Sequence, residues 1–167
     1  LFVNGIPLVI IECKRPDIKG AEEQAVSQHL RNQKDDGIRS LYVYSALLLS
    51  IGNSFGSYAT TGSAAQFWSK WHEMFINKEA EMEYHKRLLE LVNEGHEEMR
   101  TPTLQDEYLY NLCRPERLLE LIFHFTIFDA GVKKLARYQQ FFTVKETVER
   151  VKSIEAGHRN GGVVWYT

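Results

Sequence analysis

Glu12 and Lys14 end the apolar run Leu8-Val9-Ile10-Ile11 with two opposite charges. Side chains alternate faces along a strand, so Glu12 and Lys14 share one side while Cys13 turns to the other. A run this apolar suits a strand covered on both faces, where an unpaired charge costs several kcal/mol. Two arrangements offset that cost. One is a plain ion pair at an exposed strand end. The other is a divalent metal at Glu12 with Lys14 beside a phosphate, which is half of a metal-dependent nuclease centre. Phosphodiester hydrolysis needs a cation to activate water and to neutralise charge developing on phosphorus. Mg²⁺ takes hard oxygen ligands, keeps several waters and uses one or two carboxylates. Glu12 is one candidate ligand, and Lys14 could orient the attacking water or stabilise the transition state. A second carboxylate is needed. Asp17 is nearest in sequence but lies beyond Pro16 in a turn. An aspartate on a strand leading into Leu1 would be better placed, directly across a hairpin.

Gln28 and Arg31 fall on one face of the helix that follows. An arginine fork grips phosphate bidentately, and a glutamine amide bonds backbone and water alike; the bland alternative is a solvated face. Asp106, Glu107 and Glu120 read as helix-surface charges. The six histidines show no paired ligand spacing, and His85 and His124 read as packing or surface residues, which argues against zinc. Trp68 and Trp71, at i and i+3, read as a core or interface anchor rather than a base-stacking platform.

The elements that must position these groups follow from the pattern. Leu1-Phe2-Val3, Asn4-Gly5 and Ile6 to Lys14 read as a β-hairpin, with Asn-Gly supplying the positive φ of a tight turn. Gly20 to about Lys34 reads as a helix. Leu41 to Tyr44 and Ala46 to Ile51 read as strand, then a turn at Gly52-Asn53-Ser54 and a short strand near Ser57 to Thr60. The order β-β-α-β-β implies a mixed sheet with a helix packed on it. Helices are expected from Glu79 to Glu94 (Met82, Leu88, Leu89 and Val92 inward), from Thr101-Pro102 (Leu104, Tyr108, Leu112), and from Pro115 (Leu118, Leu119, Ile122, Phe123). A fourth is expected over about Val132 to Ile154, with Phe141, Val144, Val148 and Val151 on one side. Val163-Val164-Trp165-Tyr166 reads as a strand.

The 167 residues, 44% hydrophobic and 25% charged, suit an ordinary globular chain rather than disorder. A formal net charge of −2 excludes a global basic signature, so any nucleic-acid contact must use a local groove. Cys13 and Cys113 lack metal-ligand spacing and read as buried free thiols in a reducing compartment. No apolar run approaches the ~20 residues of a membrane span. The chain starts in mid-strand without methionine and reads as an excised piece of something longer.

Several segments resemble the R subunit, the motor and nuclease component of type I restriction-modification enzymes, which belongs to the PD-(D/E)xK nucleases. The stretch Leu1 to Lys14 resembles that family's nuclease hairpin, and Gln28-His29-Leu30-Arg31-Asn32 resembles its Gln-x-x-Arg-Tyr helix, with Asn32 in place of tyrosine. Tyr44-Ser45-Ala46-Leu47-Leu48 and Pro115-Glu116-Arg117-Leu118-Leu119 continue the similarity. Lys134 to Phe142 with Val148-Glu149-Arg150 resembles the start of a superfamily 2 RecA-like motor domain. Gly161 to Thr167 resembles the strand feeding its phosphate-binding loop.

The resemblance implies an α/β fold: a restriction endonuclease-like core with a mixed β-sheet over residues 1–112. Residues 113–167 would form a helical connection and the first strand of the translocase domain. It implies Mg²⁺ at Glu12, a catalytic Lys14, and site roles for Gln28 and Arg31, with the family's first aspartate falling just before Leu1. It implies ATP as second cofactor, with Gln140 (or its neighbour Gln139) reading the adenine edge, since an amide donates and accepts at once. Expected partners are double-stranded DNA and the modification (methyltransferase) and specificity subunits, in bacterial or archaeal cytoplasm, with no membrane. Alone, this stretch is expected neither to cut DNA nor to hydrolyse ATP. Two rival readings are a non-catalytic nuclease-like scaffold for protein contacts and a DNA-repair helicase-nuclease.

Overall fold

The computed structural model describes residues 1–155, 158–159 and 161–165. A hairpin opens the chain, with β1 (Phe2–Val3) antiparallel to β2 (Ile6–Pro7). Asn4 and Gly5 join them with φ of 50° and 80°, the left-handed values a two-residue turn requires. Ladder pairing then breaks at Leu8, whose N–H, like that of Val9, donates to the Leu1 carbonyl. β3 (Val9–Cys13) enters a second sheet beside β4 (Leu47–Gly52), parallel to it, and β4 turns back antiparallel into β5 (Phe55–Ala59). The order β3-β4-β5 is a mixed sheet, as the β-β-α-β-β pattern implied.

Two layers cover this sheet. On one face lies α1 (Ala21–Asn32), whose Ala21 and Ala25 pack with Phe55. The small alanines let the helix axis come close to the strands, and Glu22 and Glu23 in its first turn complement the helix dipole. On the other face, Val9, Leu47, Leu49, Ile51 and Tyr58 form the main core with Trp71, Tyr108, Leu112, Leu118, Leu121, Phe125 and Phe141.

The residues between Asn32 and β4 depart from expectation. Leu41 to Tyr44 is not strand: Arg39–Tyr42 forms one helical turn, α2, with Tyr42 buried and Val43 and Tyr44 exposed. A four-residue apolar run fits either state, and a buried partner for the Tyr42 hydroxyl decides it. A short 3₁₀ turn at Ala65–Phe67 follows β5.

α3 (Lys78–Asn93) is capped by the Asn77 side chain, which accepts the Ala80 N–H at 2.8 Å. Of its expected inward residues Leu88 is buried, while Met82 and Leu89 are exposed. α4 (Leu104–Cys113) and α5 (Pro115–His124) follow, the latter opened by Pro115, whose fixed φ suits a first helical position. In α5 the inward residues are Leu118 and Leu121; Leu119 and Phe123 face outward.

The helix expected over Val132 to Ile154 begins later. β6 (Thr126–Asp129) and β7 (Val132–Leu135) make a hairpin, and α6 spans Tyr138–Lys152. Ala130 and Gly131, at φ of 48° and 80°, turn the hairpin, and Thr-Ile-Phe before them favours strand. On α6, Phe141 is buried, whereas Val144, Val148 and Val151 are exposed.

A two-residue ladder, β8 (Ile154–Glu155) with β9 (His158–Arg159), ends the regular structure. Val163, Val164 and Trp165, expected as strand, carry no strand pairing and are exposed; Tyr166 and Thr167 lie outside the described residues. A doubly covered strand needs neighbours on both sides, and none of the described residues supplies one.

Candidate nuclease centre

Glu12 is the fourth residue of β3, and the Lys14 N–H prolongs the β3–β4 ladder by donating to the Ile51 carbonyl at 3.2 Å. Both side chains therefore leave the sheet on its α1 face. The Lys14 ammonium donates to Glu12 Oε1 at 2.7 Å and to Gln28 Oε1 at 2.6 Å. Three sequence-predicted residues thus meet at one point, two from the strand end and one from the helix. They are neither sealed nor fully solvated: the Lys14 and Glu12 side chains retain 17% and 20% of their exposure. Glu12 Oε2 accepts no hydrogen bond among the described residues.

Arg31, one turn beyond Gln28, is exposed, and its guanidinium makes no hydrogen bond or ion pair among the described residues. Asp17 is drawn away by Arg15, which grips it through two nitrogens, and does not join the cluster. Cys13 is exposed at the end of its strand rather than buried, and its partial burial, with Glu12 adjacent, pushes its thiol above the ordinary range.

Two groups escaped sequence reasoning. His29 is fully buried next to Gln28; its Nε2 lies 3.0 Å from the Leu49 carbonyl and its Nδ1 3.0 Å from the Tyr42 hydroxyl. A carbonyl only accepts, so Nε2 carries the proton and Nδ1 accepts from the Tyr42 O–H. Burial lowers the His29 pKa; the Leu49 bond and Glu12 oppose that shift, and Lys14 adds to it. The ring also packs on Trp68, centroids 5.1 Å apart. His29 thereby ties α1 to β4 and α2 and fixes where Gln28 points. Its signal was the spacing Ala21, Ala25, His29, which continues the buried stripe of α1 at every fourth residue. Ser50 and Ser57, the second group, stand in register beside Glu12 across β4 and β5.

Gln140 lies elsewhere. Its Oε1 accepts the Arg137 N–H at 2.9 Å, closing the first turn of α6. It sits on the rim of a cavity of about 690 Å³ walled by Phe67, Phe125, Ile127 and Val132, with Lys133 and Arg137 among its polar groups and no Asp or Glu in its lining.

Residues 1–70 match the family described as Type I restriction enzyme R protein N terminus. Over 99% of its length the chain is 32% identical to a Methanocaldococcus jannaschii protein named putative type I restriction enzyme MjaIXP endonuclease subunit. Over 99% of its length it is also 31% identical to the type I restriction enzyme HindI endonuclease subunit of Haemophilus influenzae. The chain belongs to the type I restriction enzyme R protein family. It spans 16% and 15% of the lengths of those two relatives. The match over residues 1–70 takes in β3, α1, β4 and β5, and so every element that places Glu12, Lys14 and Gln28.

Among the described residues no group of three or more His, Cys, Asp or Glu side chains is arranged to hold a metal. The centre offers one carboxylate, with Oε2 open. That suits a cation that keeps most of its waters and takes only one or two carboxylates, as Mg²⁺ does. No described helix is long and apolar enough to cross a membrane.

Proposed function

We propose that Glu12, Lys14 and Gln28 form the hydrolytic centre of an R subunit that cuts double-stranded DNA with Mg²⁺. The observation that carries this reading is the convergence of the Lys14 ammonium on Glu12 at 2.7 Å and Gln28 at 2.6 Å, at the open end of an otherwise apolar strand. A structural ion pair explains the first contact and not the second, for which a helix must deliver an uncharged amide to the same ammonium. Glu12 would hold the cation through Oε2. When bound, Mg²⁺ supplies a Lewis acid for the scissile phosphate and lowers the pKa of water. Lys14 donates toward the phosphate oxygens or the incoming water, where its positive charge is worth most as negative charge develops. Gln28 holds the ammonium at the angle that keeps it beside the carboxylate. Arg31, exposed on the same helix, is placed to grip a flanking phosphate of the DNA backbone.

The wider assignment follows the family: ATP-driven translocation of duplex DNA, in company with modification and specificity subunits. Residues 1–112 would be the nuclease part and 113–167 the approach to the motor. Within that assignment ATP is the second cofactor, and Gln140, in the lining of the 690 Å³ cavity, would address its adenine.

The metal assignment is tested by titrating Mg²⁺ against the complete polypeptide carrying Glu12 or Glu12→Gln, read by calorimetry. The wild type should bind a cation that the variant releases. Equal binding by both would remove Glu12 from the metal site.

A further inference from the structure

The row of residues crossing the sheet beside Glu12 holds two hydroxyls with nothing to bond. Glu12 pairs in register with Ser50, and Ser50 with Ser57, so all three side chains leave the face covered by α1. Ser50 and Ser57 are 0% and 2% exposed, and neither Oγ has a hydrogen-bond partner. A buried hydroxyl left unpaired destabilises the fold. Alanine would meet the same demand for a small residue on the face covered by α1 without that penalty, so the hydroxyls themselves need a reason. Glu12 supplies one: its Oε1 accepts from Lys14, while Oε2 lies open on the same row.

We propose that Ser50 is a positioning residue for Glu12, its hydroxyl donating to the carboxylate when a divalent cation and DNA phosphate occupy the centre, with Ser57 donating in turn to Ser50. The inference rests on the nuclease reading above. Once the Lys14 ammonium is shared with phosphate, it holds the plane of the Glu12 carboxylate less firmly. Ligating carboxylates are held by such outer hydrogen bonds, and cross-strand Ser pairs bond readily on one sheet face. The cation-free fold keeps both hydroxyls unsatisfied, and the occupied site engages them.

The test is Ser50→Ala in the complete polypeptide, which deletes one oxygen and leaves the packing unchanged. The metal-free Tm should equal or exceed that of the wild type, because an unpaired buried hydroxyl has gone. The rise in Tm on adding Mg²⁺ should shrink, the Mg²⁺ midpoint for cleavage should rise, and the cleavage rate should fall by about tenfold. Ser57→Ala should follow in the same direction with a smaller loss, and it carries the test if Ser50→Ala does not fold. Unchanged Mg²⁺ response and rate would make the serines mere spacers under α1. A lower metal-free Tm would mean the hydroxyls already bond in the free protein; either result overturns the proposal. Glu12→Ala is run alongside: if it still cleaves, the nuclease reading fails, whereas an inactive Glu12→Ala beside an unaffected Ser50→Ala defeats only the role of Ser50.

Discussion

Replacing His29 with alanine removes the side chain that bonds α1 to both β4 and α2. The Leu49 carbonyl and the Tyr42 hydroxyl, 0% and 2% exposed as residues, each lose a partner 3.0 Å away. Neither is stranded, because the Leu49 carbonyl stays in the β3–β4 ladder and the Tyr42 hydroxyl keeps Asn32, so the loss is that of two net hydrogen bonds, about 1–3 kcal/mol. For a chain of this size that lowers Tm by roughly 2–12 °C. The pH dependence is a second signature. Burial lowers the His29 pKa below its ordinary 6.5, so the unfolded chain takes up a proton before the folded one does. Stability from the neutral ring is therefore fully present above the unfolded pKa and is lost as pH falls toward the folded pKa. Thermal melts at roughly pH 7 and pH 5 should show a larger drop for the wild type than for His29→Gln, which cannot titrate. Because Gln28 is the adjacent residue, His29→Ala should also slow DNA cleavage at temperatures where it stays folded. A variant within about 0.5 kcal/mol of wild type, with the same pH slope, would mean that His29 does not tie α1 to β4 and α2.

Glu73→Gln should destabilise by about 3–5 kcal/mol in urea unfolding, because Glu73 holds the buried Arg117 at 2.7 and 3.2 Å and a neutral amide leaves that guanidinium uncompensated; a loss below about 1 kcal/mol would show that the stacking of Arg117 on Trp71 and Phe141 suffices. Gln28→Ala and Arg31→Ala should separate in kinetics. Gln28→Ala lowers the cleavage rate by about tenfold or more through Lys14, whereas Arg31→Ala weakens DNA binding in a salt-dependent way and leaves the rate at saturation near wild type; identical effects would contradict their separate placement.

The local signals that survived folding were those with a backbone or spacing constraint behind them. Asn4-Gly5 demanded one turn type, and the i, i+2 spacing put Glu12 and Lys14 on one face whatever packed around them. Gln28 was legible as a helix position, but its direction was set by His29, whose burial depends on Tyr42 and Trp68 from two other segments. Tyr42 itself was misread as strand because four apolar residues carry no usable period. The β6–β7 hairpin hid for a related reason: Lys133 and Lys134 look solvated, yet the Lys133 ammonium reaches the Ser45 carbonyl at 2.8 Å, 88 residues away. Ser50 and Ser57 were unreadable until register placed them beside Glu12.

The decisive experiment is cleavage of double-stranded DNA by the complete polypeptide carrying Lys14→Ala, assembled with its modification and specificity subunits and measured beside its ATP hydrolysis. Strand cleavage should fall by at least about a hundredfold, as loss of a charge-stabilising donor does, while ATP hydrolysis continues at the wild-type rate. Cleavage at the wild-type rate would leave the Glu12–Lys14–Gln28 cluster as a structural ion pair and remove Lys14 from the chemistry.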